Sequence, residues 1–175
     1  FRYSFGKIDH TILVVIAPTV LALAGWGAKY SIDARRGSAR EPVAWPLALL
    51  AILVAFGYFS AGVPKLLVWA DFDLTTQRAR SWLFGSWFED GRRSLLARHL
   101  IGLEQPLVWE AMDLVSVAFE TGFLLSLAHR SIFRAFLFAA VMFHLANLLW
   151  LNIGFAMLIP VYVAFLPWER MQALP

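Results

Sequence analysis

Cysteine is absent from the 175 residues, which excludes disulfides, a thiolate nucleophile and cysteine-ligated metal, and leaves the redox compartment unreadable. Charge is scarce too. Asp, Glu, Lys and Arg make up 15% of the chain, where soluble domains carry about 25%. There is no phosphate-binding glycine loop, dinucleotide fingerprint or nucleophile elbow. His10, His99, His129 and His144 are scattered, and no ligand pair has the i, i+4 spacing of a helical zinc motif, so no metal is expected. No repeat of fixed period and no low-complexity tract appears. The net charge of +3 comes from Lys and Arg confined to loops. It fits attraction to anionic lipid heads and is not a nucleic-acid signature.

What the chain has in excess is apolar surface: 60% of residues are hydrophobic and the mean hydropathy is +0.66. That composition places it among integral membrane proteins. Apolar stretches cover 11–26, 43–61, 108–128, 132–151 and 153–166, and a spanning helix needs about 20 residues. The fold class expected is all-α: a polytopic membrane helical bundle with about five transmembrane spans, the last short and interrupted by Asn152, Gly154 and Pro160. Several of the eight Trp residues fall near span ends, where indoles anchor at the interface. The first span ends in Trp26-Gly27-Ala28-Lys29-Tyr30, without a small-residue cleavage site, so no signal peptide is expected. The chain reads as one membrane-embedded domain, 1–175, or as a segment of something longer.

The loops differ in charge. Lys29, Arg35, Arg36, Arg40, Arg130, Arg134 and Arg170 share one face if the spans alternate strictly, and the positive-inside rule makes that face cytoplasmic. The other eight cations lie opposite, six of them in the long segment 65–105, where charge counts less. In that segment Leu66, Leu67, Trp69, Phe72, Leu74, Trp82, Leu83, Phe84, Trp87 and Phe88 are interleaved with Asp71, Asp73, Arg78 and Arg80. Such a pattern lies in the membrane interface, either as a plain connector or as a lid over a pocket.

Alternation brings distant residues to one level. His10 opens the first span, Lys65 follows the second, and His144 and Asn147 lie near the end of the fourth, all on the non-cytoplasmic side. His144 and Asn147 are three apart and share a helical face, while Trp109, Asp113, Ser116 and Glu120 form a stripe down the third span. That stripe must face protein or water, because lipid exposure of Glu120 would cost roughly 2–4 kcal/mol or neutralise it. The plainer roles are structural: a His–Asn pair tying helices together at about 1 kcal/mol per bond, and a lysine snorkelling to the interface.

The segment Tyr58-Phe59-Ser60-Ala61-Gly62-Val63-Pro64-Lys65-Leu66, followed by Trp69 and Ser81-Trp82-Leu83-Phe84, resembles the central motif of the vitamin K-dependent gamma-carboxylase superfamily, whose bacterial branch is the horizontally transferred transmembrane domain. Asp9-His10 with Ser31-Ile32-Asp33 resembles the family's upstream element, and Phe143-His144-Leu145-Ala146-Asn147 its late element. The similarity runs in order from about Asp9 to Trp168. It implies a bacterial plasma-membrane protein that binds a quinone or hydroquinone, with Lys65 the base that deprotonates the hydroquinone and His10 its helper. Tyr58, Glu120, His144 and Asn147 would then line the cofactor site. In the carboxylase, oxygen attacks the hydroquinone anion, and the strong base so formed takes a proton from glutamate before carbon dioxide adds. Membrane depth suits this chemistry, since burial favours a neutral amine and closing out water protects a reactive anion.

The chain also differs from the family. Pro64 stands where a second lysine would precede the active one, and Asp9 replaces a neutral amide beside the histidine, where it would favour a charged ammonium at Lys65. The family's large soluble portion and its helices upstream of the first element have no counterpart in these residues, so carboxylation of protein glutamate by this chain alone is not expected. Two function classes follow. One is a hydroquinone-dependent carboxylase-like or oxidase-like enzyme. The other is a non-catalytic integral subunit of a larger membrane complex that keeps the scaffold for helix packing and lipid or quinone binding, its helices meeting through Ala48, Ala51, Ala55, Gly57 and Ala61. Membrane lipids are partners in either case.

Overall fold

The computed structural model describes residues 10–25, 32–37 and 43–166, except for the side chains of His10, Thr11 and Asp33. Among these every regular element is a helix. Helix α1 (His10–Leu23) is followed by a single turn, α2 (Ile32–Arg35), and the long α3 (Trp45–Trp69). Then come α4 (Arg78–Phe84), which runs into a π-helical turn (Gly85–Glu89), and the short α5 (Ala97–Leu100). Helix α6 (Pro106–Gly122) tightens into a 3-10 stretch (Phe123–Ala128), and α7 (Arg130–Leu151) follows it. A 3-10 turn (Ala156–Leu158) and α8 (Ile159–Val163) complete the described chain.

Among the described residues three helices are long and apolar enough to cross a membrane: Trp45–Trp69, Pro106–Ala128 and Arg130–Leu151. These correspond to the second, third and fourth expected spans. The first is shorter, 14 residues with Pro18 inside it, well under the roughly 20 that a crossing takes. The fifth is not continuous. Asn152 closes α7 in the left-handed conformation, φ 53°, as asparagine does at helix C-termini, and the chain beyond it folds as the 3-10 turn and five-residue α8.

The second span also departs from expectation in running on past Ala61. Pro64 and Lys65 lie inside α3, not after it. Proline there removes one N–H, a loss that helices packed in a membrane tolerate. Prolines sit comfortably in the first turns of α3, α6 and α8, at Pro46, Pro106 and Pro160, where the N–H has no helical partner anyway.

Helices α3 and α6 run antiparallel and touch closely at Gly62. A Cβ added there would come within 2.8 Å of Glu120 Cβ and 2.9 Å of the Thr121 backbone nitrogen. Ala55, Gly57 and Ala61 are buried on α3 as the small-residue reading proposed, whereas Ala48 is exposed. The main core joins Leu13, Ala17 and Val20 of α1 to Leu50, Val54 and Tyr58 of α3, and continues through Phe123, Leu137, Leu158 and Val161. A second cluster, Leu83, Ala97 and Trp109 with Trp87, Met112 and Leu151 packed on it, seats the 65–105 segment against the ends of α6 and α7.

Candidate functional site

Polar side chains enter the helical core at a few points. Lys65 and Glu120 form the first. Gly62 lets α3 and α6 approach, and one turn further along α3 the Lys65 ammonium donates to Glu120 Oε1 at 2.5 Å. The Glu120 side chain is 5% exposed and that of Lys65 27%, so the carboxylate is interior and the amine reaches it from the rim. Lys65 Nζ also lies 5.1 Å from the centre of the Trp69 ring, within cation–π range. Glu120 Oε2 is buried without a hydrogen-bond partner.

Deeper along the same face of α3, Tyr58 forms the second point. Its hydroxyl lies 2.7 Å from His144 Nε2 on α7 and 2.6 Å from the Tyr162 hydroxyl on α8, and His144 Nε2 and Tyr162 are 2.8 Å apart. The two hydroxyls and Nε2 face one another pairwise, and the imidazole tautomer sets which of them donates along each edge. Aromatic rings enclose it. Tyr58 stacks on Phe123 at 4.4 Å and meets Phe119 edge-on at 5.3 Å, while His144 stacks on Phe155 at 4.3 Å.

Asp113 makes the third point. Fully buried, its carboxylate accepts from the backbone N–H groups of Arg78 (2.9 Å) and Ala79 (2.7 Å). It thereby caps the N-terminus of α4 from another helix, satisfying donors that helix starts leave open. Glu110, one turn earlier on α6, is buried with neither oxygen partnered. Outside the bundle, Asp71 and Asp73 organise the turn that leads into α4. Asp71 accepts from the Asp73 N–H and the Thr76 hydroxyl, Asp73 from the N–H and hydroxyl of Thr75. These bonds hold both carboxyls below the usual carboxylate range.

The residues expected from sequence are thus distributed as follows. Lys65 pairs with Glu120, and Tyr58 with His144, joined by Tyr162, which the sequence did not single out. In the expected stripe Trp109, Asp113 and Glu120 are buried and Ser116 half-buried. Asn147 turns back on its own helix, its Nδ2 donating to the Phe143 carbonyl at 2.9 Å. The side chain of His10 lies outside the described residues, as do Asp9, Lys29, Ser31, Arg40, Trp168 and Arg170. The long segment is tied down as well as packed: Ser94 Oγ donates to the Trp150 carbonyl at 2.6 Å, the Leu96 N–H to the Leu149 carbonyl at 3.0 Å, and Trp109 Nε1 to the Leu103 carbonyl at 2.9 Å. Among the described residues no group of three or more His, Cys, Asp or Glu side chains could hold a metal ion. Comparison with family models, curated proteins and solved structures finds no match for this chain.

Proposed function

We propose that this chain is a membrane-embedded domain that binds a quinone or hydroquinone among α3, α6 and α7 and handles the hydroxyl proton of the reduced form at the Lys65–Glu120 couple. The observation that carries the reading is that couple: an ion pair inside the bundle whose second carboxylate oxygen is buried and unpartnered. Such an oxygen fits the hydroxyl of a reduced ring, and the Tyr58, Phe119, Phe143 and His144 rings nearby supply the apolar, flat-faced surroundings that ring ligands occupy. A hydroquinone supplies, when bound, two electrons and an acidic hydroxyl.

The chain's own contribution is positional. Gly62 sets the helix separation that lets Lys65 reach Glu120, and the Tyr58–His144–Tyr162 triangle holds α3, α7 and α8 in one register beside it. The segment 65–105, fastened by Asp113 and Ser94, covers the end of the bundle from which Lys65 enters. In the fuller form of the proposal α1 and the broken C-terminal segment make the remaining two crossings, and the membrane is a bacterial plasma membrane.

Mass spectrometry of gently solubilised protein tests the reading. The expected result is a co-purifying quinone whose occupancy drops on Lys65→Met. A fixed-ratio protein partner with no quinone would overturn it in favour of a non-catalytic subunit.

A further inference from the structure

The two carboxylate oxygens of Glu120 have different surroundings. Oε1 takes the Lys65 hydrogen bond, whereas Oε2 is buried with no donor facing it. Buried acceptors are ordinarily satisfied, so Oε2 marks a place for a donor that comes from outside the chain. Lys65 is engaged on two sides, by that carboxylate and by the Trp69 ring. On both sides Lys65 acts as the cation, donating to Oε1 and facing the ring, and an ammonium has no lone pair with which to accept a proton.

We infer that the proton acceptor of the couple is Glu120 Oε2, which takes the hydroxyl proton of a phenolic ligand while Lys65 remains an ammonium beside the oxygen that loses it. This rests on the hydroquinone reading above and differs from the role the resemblance gives to Lys65. In the step the ligand's O–H bond breaks and an O–H bond forms on Oε2. The bonding electron pair stays on the ligand oxygen, and nothing is oxidised or reduced. Negative charge moves from the carboxylate to the ligand oxygen, so Lys65 keeps an anionic neighbour before and after. Lys65 is then an electrostatic partner and Glu120 the base.

The test uses the full chain in lipid nanodiscs with a prenylated 1,4-naphthohydroquinone as probe. Binding and infrared difference spectra are recorded under argon, then oxygen uptake on admitting air, where each hydroquinone oxidised reduces one O2 to hydrogen peroxide. Probe binding should raise a protonated-carboxyl band in the unaltered chain. Glu120→Gln should bind within about threefold, lack the band and lose uptake by about tenfold or more. Lys65→Arg should keep the band and about a third or more of the uptake, because arginine supplies the cation but not a base; this arm does not depend on the Glu120 variant folding. Absence of the band in the unaltered chain, its persistence in Glu120→Gln, or loss of uptake in Lys65→Arg as complete as in Lys65→Met would overturn the assignment and leave Lys65 as the base. Failure of the unaltered chain to bind the probe would overturn both this inference and the hydroquinone reading.

Discussion

Gly62 and Gly57 make a controlled pair at the scale of single residues. A methyl at Gly62 meets Glu120, Thr121 and the Thr121 backbone at under 3 Å, whereas one at Gly57 meets only Leu13 Cδ1 at 3.8 Å. Gly62→Ala should therefore cost about 1–3 kcal/mol through overpacking, and Gly57→Ala should be close to neutral; thermal unfolding in detergent separates the two. The same substitution pushes Lys65 away from Glu120, so its effect should exceed that of Glu120→Gln on any property that depends on helix spacing. In the phenol cluster, Tyr58→Phe and Tyr162→Phe should each cost about 0.6–1.7 kcal/mol, the range of polar contacts between membrane helices. Because both hydroxyls bond within one triangle, a double-mutant cycle should show the pair losing less than the sum.

Elements reveal which readings a sequence can support. Helices α3, α6 and α7 were legible because each is a long apolar run; Glu120 and His144 stood out as ionisable groups inside such runs, and Lys65 as one just past the end of the second. Their pairing was not legible, since it depends on the register at which helices pack. Gly62 against Thr121 fixes that register for α3 and α6, and no spacing within either helix encodes it. Tyr162 escaped notice because a lone tyrosine in an apolar segment usually reads as an interface anchor. Asp113 was expected to face protein or water, but its role as a cap for α4 needed the fold. Asp113→Ala should free the first turn of α4, at a cost of about 1–2 kcal/mol. Limited trypsin digestion should then cut faster after Arg78 and Arg80, while sites in the bundle stay protected; unchanged cleavage there would remove the anchoring role.

For the whole molecule, the lack of cysteine makes single-cysteine labelling direct. Arg36 precedes α3 and Phe72 follows it, both exposed, so Arg36→Cys and Phe72→Cys should react with an impermeant maleimide from opposite sides of sealed vesicles. Arg92→Cys should react from the same side as Phe72→Cys, because α6 has not yet intervened. Labelling of Arg36→Cys and Phe72→Cys from one side would remove α3 as a crossing. The Tyr58 triangle has a consequence of a different kind, in time. Its partners lie 86 and 104 positions downstream, and a chain is made from its N-terminus. Through most of synthesis, then, α3 precedes both partners of the triangle, and α6 comes to it already held in register at Gly62 and by the Lys65–Glu120 pair. Only when residue 162 emerges can the triangle close. A helix of five residues is therefore the one that locks it.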